Sequence, residues 1–170
     1  MRCPAAVAVL ERKEILLMVP WKKMVCPSDF SAGSLEALTY ATELAQYFGA
    51  ELYLVHVLST HPDAVDWKEE DEADVPGAER VVSSEAEGQL RKLAEPLVAK
   101  GVRVHAMLAH GDAAEQIARV AQDEGADVIV IATHGATGWR NLAFGSVTEK
   151  VVRLARCPVL ALRMGRTPAA

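Results

Sequence analysis

The spacing of apolar residues along the chain alternates between two patterns. Short runs of consecutive apolar residues predict strands, whereas apolar residues spaced three and four apart predict helices. The predicted strands are Lys22–Pro27, Glu51–Leu58, Val102–Ala109, Asp127–Ala132 and Pro158–Arg163. The predicted helices are Ser31–Phe48, Glu79–Lys100, Asp112–Glu124 and Gly145–Arg156. Strands that alternate with helices and read as continuous apolar runs are typical of an α/β protein with a parallel sheet covered on both faces.

Several local signals refine these elements. Ser31 is a candidate N-cap of the first helix, and Gly49 is a candidate stop signal. Pro96 is expected to kink the second helix, because proline removes a backbone donor and clashes with the preceding turn. The polar stretch Ser59–Ala78 contains the acidic segment Asp66–Asp74 and predicts a long surface loop. The sequence leaves open whether this acidic loop binds anything.

Length and composition narrow the class of protein. A chain of 170 residues with 51% hydrophobic and 24% charged residues is ordinary for one globular domain. The net charge is -5 and the basic residues are scattered, so nothing favours nucleic acid as a partner. No apolar stretch reaches the ~18–20 residues that a membrane helix needs. The widely spaced Cys3, Cys26 and Cys157 indicate reduced thiols in a cytoplasmic protein.

The start of the chain is unusual. Residues 1–21 are predicted to be an N-terminal extension, 22–163 the folded domain and 164–170 a C-terminal tail. Charged residues at 11–14 (ERKE) interrupt the first apolar stretch and no clean cleavage site follows, which disfavours a signal peptide. Purine-rich codons can encode that charged run, and bacterial ribosome-binding sites are purine-rich too. Residues 1–17 are therefore a candidate for upstream sequence read as protein. Met18 lies just downstream and is therefore an alternative start, which the intact mass of natively expressed protein would test.

The segment Val128–Arg163 carries the most specific chemistry. An apolar run opens into a loop that contains Gly135, Gly138 and Gly145, and a helical pattern begins at Ser146. Glycines let backbone N–H groups approach a phosphate, and the start of a helix presents unpaired donors. The loop is neither a Walker A loop nor the dinucleotide fingerprint. The segment therefore predicts nucleotide binding, and it does not by itself indicate chemistry on the nucleotide.

Three predicted strand ends offer residues to such a ligand. In an open doubly wound sheet, ligands bind beyond the carboxyl ends of the strands, where the strand order reverses. The first strand ends in 27–31 (PSDFS), with Pro27, Ser28 and Asp29 foremost, the second ends near His56 and Val57, and the fourth ends in 132–135 (ATHG). If the first and fourth strands are neighbours, Asp29 and the glycine loop face each other across one crevice.

From Lys22 to Arg163 the chain resembles the universal stress proteins of the UspA family. The resemblance rests on CPSDFS after the first strand, LVHV in the second strand and ATHGATGWRNLAFGSVTEKVVRLARCPVLAL at the end. Nucleotide-binding members carry Gly-x2-Gly-x9-Gly-Ser/Thr, and this pattern falls here on Ala132, Gly135, Gly145 and Ser146. Ala132 replaces a glycine, so its methyl group could crowd the ligand or force a backbone angle that alanine dislikes.

The resemblance implies a single-domain, doubly wound, open parallel five-stranded sheet of the Rossmann-like type, with strand order 3-2-1-4-5. It implies that ATP, or AMP or ADP, is the ligand, with magnesium or manganese held through the phosphates. Asp29 would lie near the adenosine and the Val57 backbone would contact the adenine. Ile131 and Ala132 would line the ribose and phosphate side. The residues expected to hold the phosphates are Gly135, Gly145, Ser146, Val147 and Thr148.

Some of these residues also have a simpler interpretation. The sequence SVTE at 146–149 fits a Ser-x-x-Glu capping box. Asp29 can simply order the turn into the first helix. His134 lies in the glycine loop, where phosphate contact and turn packing stay equally open. His56 lies inside an apolar strand and is predicted to be a packed core residue rather than a ligand contact.

The favoured function is that of a cytosolic, ATP-binding regulatory protein of the stress response. The resemblance implies a homodimer formed through the last strand, Pro158–Arg163, and pairing there would remove an exposed apolar edge. One alternative is a slow ATPase or nucleotidyl transferase, although no paired carboxylates, nucleophile–base pair or loop lysine is evident. The other alternative is a dimeric interaction module that binds no nucleotide.

Overall fold

The computed structural model describes residues 21–59, 78–133 and 145–163. Within these ranges strands and helices alternate, and each element begins and ends within two residues of its predicted bounds. The strands are β1 (Lys23–Pro27), β2 (Glu51–Leu58), β3 (Arg103–His110), β4 (Val128–Ala132) and β5 (Val159–Leu162). The helices are α1 (Ala32–Phe48), α2 (Ala78–Ala99), α3 (Ala113–Asp123) and α4 (Ser146–Leu154). The acidic loop Asp66–Asp74, Met18 and the tail 164–170 lie outside the described residues.

The strands form one parallel sheet in the order β3-β2-β1-β4-β5, which confirms the predicted topology. β1 is the central strand: Pro27 pairs in register with Val55 of β2, and Met24 pairs with Val128 of β4. From β1 the chain first builds outward to β3 and then returns to place β4 on the other side. The strand order therefore reverses between β1 and β4, the position where open α/β sheets bind ligands.

Helices cover both faces of the sheet. Successive side chains of a strand point to opposite faces. In β1, Met24 and Cys26 belong to the core under α1 and α2, whereas Val25 belongs to the core under α3 and α4. In β4, Val128 belongs to the core under α1 and α2, and Ile129 belongs to the core under α3 and α4. The whole strand is buried. Two separate cores explain why these strands are apolar at every position.

The helix ends follow the predicted signals at α1. The Ser31 hydroxyl accepts a hydrogen bond from the Ser34 backbone N–H, and Gly49 ends the helix with a φ of 65°. That left-handed angle favours glycine. α2 contains Pro96 and continues to Ala99, and the predicted kink stays a prediction. In the described part of the chain, no helix is long and apolar enough to cross a membrane.

Candidate functional site

The carboxyl ends of β1, β2 and β4 enclose a cavity of about 290 Å³. Every predicted site residue within the described ranges lines this cavity: Pro27, Ser28, Asp29, Val57, Ile131, Ala132, Gly145, Ser146, Val147 and Thr148. His134 and Gly135 lie outside the described residues. The sequence analysis missed the lining residues Ser34, Val55, Ala113 and Ile117, and it set aside His56, which also lines the cavity. The volume is near the lower end of small-molecule sites, which span roughly 300–1,000 Å³.

Ser28 holds the turn between β1 and α1 together. Its backbone N–H donates to the Val55 carbonyl at 2.8 Å, and its carbonyl accepts from Nδ1 of His56 at 2.7 Å. Its hydroxyl accepts from the Phe30 N–H at 3.1 Å and lies 3.0 Å from the Ser34 hydroxyl. Because the Ser34 hydrogen goes to a backbone carbonyl within the turn, Ser28 is the donor between the two hydroxyls. Ser28 therefore shapes the cavity wall, and its polar groups are already engaged.

Phe30 and His56 pack against each other beside this turn. Phe30 has a φ of 62°, the single positive φ among the described residues other than glycine. Such a conformation persists where the surrounding structure fixes it. The two rings lie 4.3 Å apart between centroids, and the Ser28 carbonyl fixes the hydrogen of His56 on Nδ1. His56 is packed as predicted, against Phe30, but its ring is half-buried and also lines the cavity.

Asp29 lies in the turn that leads into α1 and at the edge of the cavity, and its contact with a ligand stays a prediction. Its Oδ1 atom accepts hydrogen bonds from the backbone N–H and from the hydroxyl of Ser31. These contacts confirm that Asp29 orders the turn into α1. The residue is also exposed and lines the cavity.

Val57 presents its main chain to the cavity. In a parallel sheet the N–H and C=O groups of alternate residues point to the same neighbouring strand. Val55 accepts from the Ser28 N–H and therefore faces β1. Val57 faces the same way, but β1 has ended at Pro27, the partner of Val55. The Val57 N–H donor and C=O acceptor are thus directed into the space beyond β1, where they can recognise the edge of a planar heterocycle.

Ala132 occupies an ordinary strand position at the end of β4. It is buried and pairs in register with Leu162 of β5. Its backbone angle is not of the left-handed type that would favour glycine. Of the two effects that the sequence left open, backbone strain is therefore absent, and crowding of a ligand by the Ala132 methyl group stays a prediction. Its carbonyl accepts from the Thr148 hydroxyl at 2.8 Å, which ties the end of β4 to the start of α4.

The start of α4 differs from the predicted capping box. Gly145 is the N-cap, Ser146 is the first helical residue, and no side chain of the described residues caps the helix. Glu149 forms an ion pair with Arg153 within α4 instead of bonding back to the cap. By comparison, the Ser31 and Asp112 side chains cap α1 and α3. The positive end of the α4 dipole is therefore open to the cavity, an arrangement that favours anions.

A cluster of three charges links α3 to α4 beside the cavity. Nζ of Lys150 lies 3.0 Å from Oδ2 of Asp112 and 3.0 Å from Oε1 of Glu115. The pKa of the Asp112 carboxyl lies below its ordinary value, because this group accepts a hydrogen bond from the Glu115 backbone and pairs with Lys150. Across the described ranges, no group of three or more His, Cys, Asp or Glu side chains could hold a metal ion.

Known proteins share both sequence and fold with this chain. The Universal stress protein family profile matches residues 20–163. Universal stress protein MJ0531 of Methanocaldococcus jannaschii is 34% identical over 143 residues, which cover 84% of this chain and 82% of that protein. The solved structure of MJ0577 from the same organism has a TM-score of 0.75 and 27% identity, covering 88% of this chain and 100% of that one. The Archaeoglobus fulgidus universal stress protein in complex with dAMP has a TM-score of 0.59 and 21% identity, with coverages of 84% and 98%. The chain therefore belongs to the universal stress protein family.

Proposed function

We propose that the chain binds an adenine nucleotide in the cavity at the carboxyl ends of β1 and β4. ATP is the proposed ligand, with AMP and ADP as alternatives, and the protein acts as a cytosolic regulator in the stress response. One observation carries the proposal: the cavity joins the open main-chain edge of Val57 to the uncapped helix start at Gly145. The Val57 edge suits the donor and acceptor groups of adenine, and the helix start suits a phosphate. The dAMP complex of the Archaeoglobus fulgidus protein, which has the same fold, supports the choice of adenine.

The phosphates would lie against the first turn of α4. The backbone N–H groups of Ser146, Val147 and Thr148 are the donors expected there, because the first amides of a helix have no intrahelical acceptor. His134 and Gly135 would contribute from the adjoining loop. A divalent cation, magnesium or manganese, would be held through the oxygens of a triphosphate.

We propose a binding protein that does not depend on catalytic turnover. Asp29 is the single carboxylate among the described residues that line the cavity, and it is engaged with Ser31 in the turn. General acid–base chemistry needs a group placed at the reacting proton. ATP therefore acts in this proposal as a ligand that stabilises one conformation, and any hydrolysis is slow.

The test uses freshly purified full chain. Denaturation should release an adenine nucleotide that chromatography identifies, and calorimetry of the emptied protein should show ATP binding. Val57→Pro removes the N–H that faces the cavity and is expected to weaken binding at least about tenfold, since a buried polar group loses its partner. Ala106→Pro is the matched control, because Ala106 is exposed on the edge strand β3 and its N–H points away from β2. No released nucleotide together with calorimetry silent toward ATP, ADP and AMP would refute the proposal.

We also propose that the protein is a homodimer joined through β5. This strand lies at the sheet edge with all its side chains half-buried, while Val152 and Leu154 of the neighbouring α4 are 52% and 42% exposed. Edge strands of this kind are commonly protected by pairing. The Leu162 carbonyl accepts from the N–H of Thr133, the residue after β4, so Ala161 presents its N–H to the free edge. Ala161→Pro should therefore yield a monomer by light scattering, and an unchanged dimer would contradict pairing through β5.

A further inference from the structure

One lysine ties the starts of α3 and α4 together. Lys150 contacts Oδ2 of Asp112 and Oε1 of Glu115, each at 3.0 Å. The other oxygen of Asp112, Oδ1, accepts the Glu115 backbone N–H at 3.0 Å and so caps α3. Both helix starts line the cavity, α3 through Ala113 and α4 through Thr148. The three charges therefore lie immediately behind two walls of the site.

The balance of charge in this cluster depends on Lys150. Asp112 and Glu115 place two negative charges next to the helix start proposed for the phosphates, and like charges repel an anionic ligand. Lys150 is the cation that both carboxylates contact. Arg153, less than one turn further along α4, instead pairs with Glu149 of its own helix. The two basic residues of α4 thus differ in whether they compensate charge on α3.

We infer that Lys150 is a positioning residue for the phosphate end of the ligand. It offsets the charges of Asp112 and Glu115, so affinity depends on Lys150 more strongly as the ligand carries more phosphates. This inference rests on the proposed nucleotide site and adds a rule for selectivity: removal of Lys150 shifts preference from ATP toward adenosine. Lys150 acts through the carboxylates and the helix starts, and it does not itself contact the ligand.

The experiment compares full-length variants by calorimetry with adenosine, AMP and ATP at low and high salt. Lys150→Met is expected to weaken ATP binding about two- to fivefold at low salt, the effect of one charge near a helix start. AMP should lose less and adenosine nothing, and high salt should shrink the difference. Arg153→Met is the matched control, since it removes one positive charge from the same helix and should change the three affinities less. Lys150→Arg should restore the wild-type order.

Asp112→Asn gives the opposite change in charge. Asparagine remains a good N-cap, so α3 keeps its start while one negative charge disappears. ATP should then bind more tightly than to wild type, with adenosine unchanged. This variant also decides the question if Lys150→Met does not fold, because it alters the same balance with the opposite sign.

The outcomes separate this inference from the proposed function. If the wild-type chain binds none of the three ligands, both the proposed function and the inference on Lys150 are refuted. If the wild type binds ATP, three results would overturn the inference and leave the proposed function intact. One is that Lys150→Met lowers the ATP affinity no more than Arg153→Met does, and another is that it lowers the adenosine affinity as much as the ATP affinity. The third such result is a lower ATP affinity in Asp112→Asn. A graded loss in Lys150→Met together with a gain in Asp112→Asn supports it.

Discussion

Removal of the Ser28 hydroxyl is expected to destabilise the turn that forms one wall of the cavity. This hydroxyl accepts the Phe30 N–H at 3.1 Å and donates to the Ser34 hydroxyl at 3.0 Å. Ser28 and Ser34 are only 4% and 5% exposed and the bond from the Phe30 N–H is partly buried, so water replaces the lost partner only in part. In Ser28→Ala the Phe30 amide loses its acceptor at the one described residue other than glycine with a left-handed backbone.

The size of the effect follows from these contacts. A buried donor left without a partner costs about 1–3 kcal/mol. Ser34 keeps its bond to the Ser31 carbonyl at 3.0 Å, so its loss of one accepted hydrogen bond adds little. We therefore expect Ser28→Ala to lower the free energy of unfolding by about 2 kcal/mol. For a chain of this length that corresponds to a decrease in Tm of about 4–8 °C.

Thermal and urea unfolding, followed by circular dichroism, measure this change. Thr39→Ala is the matched control, because the exposed Thr39 hydroxyl also donates to a backbone carbonyl, that of Leu35, at 3.1 Å. Loss of that exposed bond should change the free energy by less than about 0.5 kcal/mol. Equal effects of the two substitutions would show that the buried hydroxyls do not hold the turn, and the argument from Ser28 would fail.

Three further predictions concern stability and reactivity. Gly88→Ala should raise the free energy of unfolding by about 0.5–1 kcal/mol, because Gly88 lies inside α2 and an added Cβ meets no atom within 4 Å; a loss in urea unfolding would contradict this. Burial raises the pKa of the Cys26 thiol to about 12, so mass spectrometry should find Cys26 unalkylated in native protein and alkylated after unfolding. Equal alkylation of Cys26 in native and unfolded protein would contradict this. The hydrogen bond from the Glu115 backbone and the pairing with Lys150 lower the pKa of Asp112, so its stabilisation is complete above its unfolded pKa and disappears as pH falls through the lower folded pKa. Below about pH 4 the stability of Asp112→Asn should therefore depend less on pH than that of wild type, and parallel unfolding curves would refute the assignment.

The sequence predicted the fold well because its strands carry a strong and consistent signal. Every position of β4 is buried between two helical layers, and a run such as VIVIA has no competing interpretation once helical patterns flank it. Helix starts were accurate where a side chain supplies the cap, as Ser31 and Asp112 do. The predicted start of α4 at Gly145 was equally accurate, although the Ser-x-x-Glu motif suggested a capping box at Ser146. Tertiary bonds decide the start instead, since the Gly145 N–H donates to the Thr133 carbonyl at 2.6 Å.

The residues that the sequence missed lie where distant segments meet. His56 is one residue before Val57 in an apolar strand, and local sequence does not show that β1 ends beside it. Ala113 and Ile117 reach the cavity only because α3 packs against the face of the sheet that carries Ile131. No local pattern reports such a contact. Aspartate is a common N-cap residue, so Asp112, two residues after β3, is the signal from which a second helix start near the site could have been inferred.

The start of α4 is held in place although no side chain of the described residues caps it. Glycine in place of a capping serine lowers helix stability by roughly a few tenths of a kcal/mol. The bonds of Gly145 to Thr133 and of Thr148 to Ala132 hold the helix start on β4 without a capping side chain. The first amides of α4 are thus positioned by the strand, and an aspartate such as the one that caps α3 would bring a negative charge to the same place. In the proposed function, phosphate oxygens supply the acceptors that a capping side chain would otherwise provide to the first amides of α4.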